Sequence, residues 1–262
     1  MNRFPILMYH RIRSTQTPVT DPAELPWSVS IEAFQTQVDR LAAMGKQGVS
    51  MARAHATLAG GKRVPPEWVV VTFDDGNRSD FVHALPILAG RGFSATFFVC
   101  GNRVGAGAGL DAPMIKAMHD AGMHIGSHAM THRFLTTLAG PGEETELARS
   151  KELLEGIVGA TVDHFAPPGG RWSRRTAETL RRLSYRAVST SEFGFNDAGR
   201  VKFAYRRVPI TAGTTPERFD DIVSCARNKL ASGYLRAASI GMVRNLMGEN
   251  AYARLRGYRA ES

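Results

Sequence analysis

Seven short apolar, β-prone runs, at residues 6–9, 69–73, 94–99, 124–126, 164–166, 186–190 and 207–210, are separated for the most part by stretches with helical punctuation. Ser30 precedes a helical pattern at 31–44 that stops at Gly45. Asp111 and Gly122 bracket another at 112–121. Further helical patterns cover 79–89 before Gly90, 143–158 before Gly159, and 173–183. N-cap residues at the starts and glycines past the ends are what helix termini require. Strands that alternate with helices favour a parallel sheet. Seven such units predict an α/β fold, a distorted, incomplete (β/α)7 barrel.

At 262 residues the chain can bury one large core. No segment approaches the roughly 20 apolar residues that would span a bilayer. The apolar run at 4–9 is shorter than the core of a secretion signal and leads into His10-Arg11-Ile12-Arg13, so no signal is expected. Cys100 and Cys225 fit no metal or redox spacing and read as free thiols of a reducing compartment. The expectation is therefore a cytoplasmic protein. The net charge of +9 points to an acidic partner, and residues 226–262 carry seven basic side chains against two acids. A boundary near Thr215 divides the chain into a domain at 1–215 and a basic helical extension at 216–262. The cations of the extension either face solvent on helices covering the barrel or lie on anionic lipid, where each contributes about 1 kcal/mol. No recognisable nucleic-acid module is present, and no nucleic-acid partner is expected.

The chemistry concentrates at strand ends. Thr72-Phe73-Asp74-Asp75-Gly76 places two carboxylates directly after an apolar strand, where a buried acid needs a metal, a base or a substrate to satisfy it. Ser127-His128-Ala129-Met130-Thr131-His132 offers two imidazoles four residues apart, a spacing that puts both on one face of a helical turn. His10 follows the first run and Pro167-Pro168-Gly169-Gly170 the fifth. In a parallel barrel those ends form one rim. His55, His83, His119, His124 and His164 have no partner at ligand spacing and read as structural or exposed. The Gly/Ala-rich stretch 101–109 reads as a mobile loop near the rim.

The combination of Thr-Phe-Asp-Asp-Gly at 72–76 with Ser-His-x-x-x-His at 127–132 resembles the polysaccharide deacetylases, carbohydrate esterases that share the NodB homology domain. The resemblance covers roughly residues 1–212. It implies that Asp75, His128 and His132 ligate a divalent metal, with Zn2+ favoured over Co2+, Mn2+ or Ni2+, and that Asp74 is the general base. The Leu-x-His-Asp motif that supplies the general acid in typical members is missing. Leu7-Met8-Tyr9-His10 resembles instead the permuted deacetylases of the poly-N-acetylglucosamine type, which implies His10 as general acid. Phe165-Ala166-Pro167-Pro168-Gly169-Gly170-Arg171-Trp172 resembles the family's groove segment and implies substrate contacts from Pro168, Gly169, Arg171 and Trp172. Ala166 stands where many members carry the arginine that orients the base, and Arg171 is one candidate to replace it.

The activity so implied is metal-dependent N-deacetylation of N-acetylglucosamine-type residues in a bacterial exopolysaccharide or its lipid-linked precursor, at the inner face of the inner membrane. The expected partners are that N-acetylated glycan and, peripherally, anionic lipid or glycan assembly proteins. The alternatives are a same-fold amidase acting on peptidoglycan, chitin oligomers or a formylated lipid-linked sugar, and a non-catalytic scaffold.

Overall fold

All seven runs become parallel strands of one ring in the computed structural model, which describes residues 2–14, 22–231 and 233. In chain order the strands are β1 (Arg3–Phe4), β2 (Ile6–Tyr9), β3 (Arg11–Arg13), β4 (Ser28–Ser30), β5 (Gln47–Val49), β6 (Trp68–Phe73), β7 (Thr96–Val99), β8 (His124–Ser127), β9 (His164–Phe165), β10 (Ala187–Phe193), β11 (Asn196–Asp197) and β12 (Ala204–Pro209). The α-helices among the described residues are α1 (Ile31–Ala43), α2 (Met51–Ala59), α3 (Leu85–Ala89), α4 (Ala112–Asp120), α5 (Gly140–Val158), α6 (Arg174–Arg182) and α7 (Pro216–Val223). The ring runs β6-β7-β8-β9-β10-β12-β2 and closes where β2 pairs with β6, from Ile6 opposite Val70 to Tyr9 opposite Phe73. It is distorted at two seams. β8 meets β9 only at Ser127 opposite Phe165, and the β10–β12 register shifts between Ser189 and Phe193.

The two-residue period of a strand sorts side chains between the layers. Along β6, Val69, Val71 and Phe73 join the core beneath the helices, where Phe73 stacks on Tyr9 at 5.2 Å and on Phe97 at 4.7 Å. Val70 and Thr72 take the other face, and the next inward position is Asp74. The helices form where expected because their caps are in place. Ser30 accepts from the backbone N–H of Ala33, Asp111 from Met114, and Ser173 and Thr176 make a reciprocal capping box. The 79–89 pattern is realised as a π-helical turn at Asp80–Ala84 running into α3.

β5 and α2 are among the elements that carried no sequence signal. β5 is three residues long and shares one edge of β6 with β7. α2 follows it and covers one end of the barrel with Met51, Ala54, His55 and Leu58 buried. The extension expected from 216 begins inside the core, since Phe219, Ile222, Val223 and Leu230 are buried there and Arg40 of α1 pairs with Asp220 of α7. The remainder of that extension, including its five arginines from 236 to 259, lies outside the described residues.

Candidate active site

Asp74 and Asp75 leave β6 on a sharply turned backbone. Asp75 has φ 81° and Gly76 φ 72°, and a Cβ at position 76 would stand 2.8 Å from Val99 Cγ1. Only glycine fits there, whereas Asp75 holds a left-handed conformation that costs a non-glycine residue about 1 kcal/mol. Strain of this kind persists where surrounding contacts over-determine it. Asn77, buried beside the turn, donates from Nδ2 to the His10 carbonyl at 3.2 Å and so ties the aspartate turn to the end of β2.

His128 and His132 do meet Asp75, but not from a helix. They sit on an irregular loop after β8 in which Ala129 and His132 both have φ 62°, so the expected helical turn is absent. A left-handed kink at each end of the loop does what the helical spacing was expected to do. The imidazoles lie 5.1 Å apart, with Nε2 of His128 at 3.4 Å and Nε2 of His132 at 3.2 Å from Asp75 Oδ1. Glu146 of α5 holds the loop, accepting backbone N–H bonds from Met130 and Thr131 at 3.0 and 2.8 Å and the Thr131 hydroxyl on its other oxygen.

The donor set fits a divalent ion. Asp75, His128 and His132 each offer a ligand atom to one point, and the 3.4 and 3.2 Å from Asp75 Oδ1 to the two imidazole nitrogens are separations that ligands at about 2.1 Å from a shared ion adopt. Nδ1 of His128 faces the Ala166 carbonyl at 2.7 Å, so Nδ1 carries the proton and Nε2 is free to ligate. Burial opposes the charge on Asp75, yet the bonds from His128 and His132 outweigh it and hold the carboxyl well below its usual range. Burial also opposes protonation of His128, but Asp75 and Asp74 raise its pKa. Positive charge is therefore favoured at the centre of the triad, where a cation would sit. Arg103, in the stretch expected to be mobile, reaches Asp75 Oδ2 at 3.3 Å.

Asp74 is gripped by an arginine the sequence analysis did not single out. Arg207 of β12, fully buried, binds Asp74 through two parallel bonds, Nη1 to Oδ1 at 2.6 Å and Nη2 to Oδ2 at 2.7 Å. Its Nε donates to the Thr190 carbonyl at 2.9 Å and Nη1 also reaches Thr72 Oγ1 at 3.2 Å. Arg171 does not fill this role. It lies over the Phe134 ring at 5.1 Å, with Pro168 buried, Trp172 half-buried and Gly169 exposed in the same segment. Burial pushes the Asp74 carboxyl up, but the Arg207 charge and hydrogen bonds bring it below its ordinary value. His10 joins the same rim, packed on Trp27 at 4.7 Å. Burial lowers its pKa against the pull of Asp75 and Asp74, and its Nδ1 has no hydrogen-bond partner among the described residues.

A parallel β/α barrel with a carboxylate–imidazole triad and an arginine-held carboxylate beside it is an arrangement suited to metal-assisted hydrolysis. A family profile described as polysaccharide deacetylase matches residues 61–188. Bacillus subtilis YxkH, provisionally named a polysaccharide deacetylase, is 27% identical over 217 residues, 83% of this chain and 75% of its own. The chitooligosaccharide deacetylase of Azorhizobium caulinodans is 31% identical over 47% of this chain and 58% of its own length, so the match spans less than two thirds of that relative. The Streptococcus pyogenes deacetylase PplD, solved with acetate, superposes with a TM-score of 0.75 at 26% identity, covering 84% of this chain and 98% of its own. Residues 61–188 thus match the polysaccharide deacetylase family, and the relatives so named are hydrolases that act on N-acetyl amide bonds.

Proposed function

We propose that the protein is a metal-dependent N-deacetylase of N-acetylglucosamine-type residues in a bacterial exopolysaccharide or its lipid-linked precursor, with Zn2+ as the ion. The observation that carries it is the convergence of Asp75, His128 and His132 on one point, with Asp74 next in sequence and His10 on the same rim. A divalent ion in the triad would acidify a water and polarise the acetyl carbonyl. Asp74 is suited to take the proton, because Arg207 fixes its plane and leaves a free lone pair on each oxygen. His10 is suited to return a proton to the departing amine. Burial lowers its pKa, so it would take up a proton, from solvent or the one Asp74 removed from the water, as negative charge develops on the attacked carbonyl, and pass it to the amine. The scaffold alternative draws on the absent groove arginine and the absent Leu-x-His-Asp motif, and the Arg207 pairing with Asp74 weighs against the first of these.

The test is metal content together with acetate release from an N-acetylglucosamine oligomer. Asp74→Asn should keep its metal and lose about 10²–10⁴-fold in kcat, and His10→Ala should lose activity without losing metal. A protein that binds no ion, or releases acetate equally well as Asp74→Asn, ends this assignment. Parallel assays with peptidoglycan, chitin oligomers and a formylated sugar separate the substrate classes. The basic charge supports action at the inner face of the inner membrane. No helix among the described residues is long and apolar enough to cross a membrane, and fractionation of cells tests the location.

A further inference from the structure

The loop after β7 is hydrogen-bonded on both sides to the turns that carry the candidate ligands. Toward the histidines, the N–H groups of Gly101 and Asn102 donate to the carbonyls of Ala129 and Met130 at 3.0 and 2.7 Å. Toward the aspartates, the Leu110 N–H donates to the Gly76 carbonyl at 3.0 Å, and the Arg78 N–H donates to the Ala108 carbonyl at 2.7 Å. The loop is also drawn tight on itself. A Cβ on Gly109 would stand 1.8 Å from the Arg103 carbonyl oxygen, so only glycine fits there. Composition predicted a mobile loop at 101–109, but the chain pins it at both ends as a strap between the aspartate turn and the histidine loop. Arg103 ends the single 3-10 turn with which the strap begins, Gly101–Arg103.

The two oxygens of Asp75 are divided between different partners. Oδ1 faces both imidazoles, at 3.4 and 3.2 Å, whereas Oδ2 faces Nη1 of Arg103 at 3.3 Å. Stability does not account for the arginine. Its side chain is 30% exposed and that of Asp75 20%, and an ion pair so placed adds little to the fold. Its effect is directional. A carboxylate free to pivot can ligate through one oxygen or through both, and a second oxygen would take a position on the ion that a catalytic site keeps open. We propose that Arg103 is a positioning residue for the deacetylation: by holding Oδ2 it confines Asp75 to ligation through Oδ1 and leaves the ion's other positions to water and substrate. This role rests on the proposed metal-dependent activity. A guanidinium beside the ligand carboxylate also repels a bound cation, so Arg103 does not serve to tighten the ion.

Chelator competition for Zn2+, together with kcat and KM for acetate release at saturating Zn2+, tests this on the full chain as native protein, Arg103→Met and Arg103→Lys. In Arg103→Met the Zn2+ dissociation constant should be unchanged or lower, while kcat falls by about 10–100-fold and excess Zn2+ does not restore it. KM should stay within about twofold of native, since Arg103 acts through Asp75 and not on the substrate. Arg103→Lys keeps a cation for Oδ2, and its kcat should stand between those of Arg103→Met and the native protein. Circular dichroism checks the fold, and Arg103→Ala serves should Arg103→Met disturb it. Arg103 loses this role if its neutral variants bind Zn2+ about tenfold more weakly and regain their rate in excess ion, as loss of a loop clamp would give. It loses the role equally if kcat stays within about twofold of native at saturating Zn2+. A native protein that holds no Zn2+ ends the metal-dependent reading and this role with it. A native protein that holds Zn2+ and releases acetate leaves only the role of Arg103 at stake.

Discussion

The Arg207–Asp74 pair sets how strong a base Asp74 would be in the proposed reaction. A guanidinium that donates to both carboxylate oxygens keeps the group ionised in a buried place, at the expense of basicity. Arg207→Lys retains a charge but loses the paired geometry, so Asp74 should titrate at higher pH. Because the base works only when deprotonated, the acid limb of the kcat/KM profile should move to higher pH, with kcat lower throughout. A pH–rate series checks both. Arg207→Met should also lower stability by about 3–5 kcal/mol, since it strands a buried carboxylate, and Arg207→Met/Asp74→Leu should recover much of that without recovering activity. Urea titrations resolve the difference. Asp74, Asp75, His128 and His132 were legible as a motif because each stands with its partners in a short run. Arg207 was not. It sits beside Arg206 in an unremarkable strand, and the choice of which one points inward depends on a register that composition does not reveal. The alternation is plain only afterwards, with Arg206 exposed and Tyr205 and Arg207 fully buried.

At the scale of elements, the loop between β8 and α5 is the part that brings His128 and His132 to Asp75, and Glu146 is its clamp. The sequence offered His-x3-His as a helical spacing, but the two left-handed residues bring the rings together by another path, and φ values cannot be read from residue types such as Ala and His. Glu146 was missed for a related reason. It lies in a charged helical stretch where a buried acid looks like any surface glutamate. With Glu146→Ala the N–H groups of Met130 and Thr131 lose their acceptor, and the loop should sample other conformations. Metal affinity should fall by about 10–100-fold, as it does when groups that orient ligands are removed. Activity should be low at limiting metal and recover in excess, whereas Asp75→Asn should not recover. A metal titration of initial rates distinguishes the two.

Across the whole molecule, the site exists because the ring closes. His10 ends the first barrel strand and Arg207 lies on the last, and β12 pairs with β2 to bring them beside the aspartates of β6. Both residues fall outside the 61–188 segment that carries the family match. The order of strands and helices was readable from alternation alone, but the closing pair was not, because closure is a property of strand tilt and register. Phe98 fills the interior, with Arg207 over its ring at 5.6 Å and Gly126 leaving the room it needs.

A site assembled in this way also carries a cost that pH should expose. Asp80 is fully buried behind the aspartate turn. Burial raises its pKa well above the usual range despite the bond from the Asn77 N–H, and the charge of Asp75 adds to the rise. The native state therefore holds this proton more tightly than the unfolded chain. Stability from this group is complete below the unfolded pKa of about 4, and it falls as pH rises toward the native value, by at most about 1.4 kcal/mol per unit. Asp80→Asn keeps an oxygen for the Asn77 N–H and removes the titration. In chelator-treated protein it should add little stability at pH 5 and on the order of 1 kcal/mol or more at pH 8. Equal gains at the two values, measured by urea unfolding, would mean that the buried carboxyl is not protonated in the folded chain.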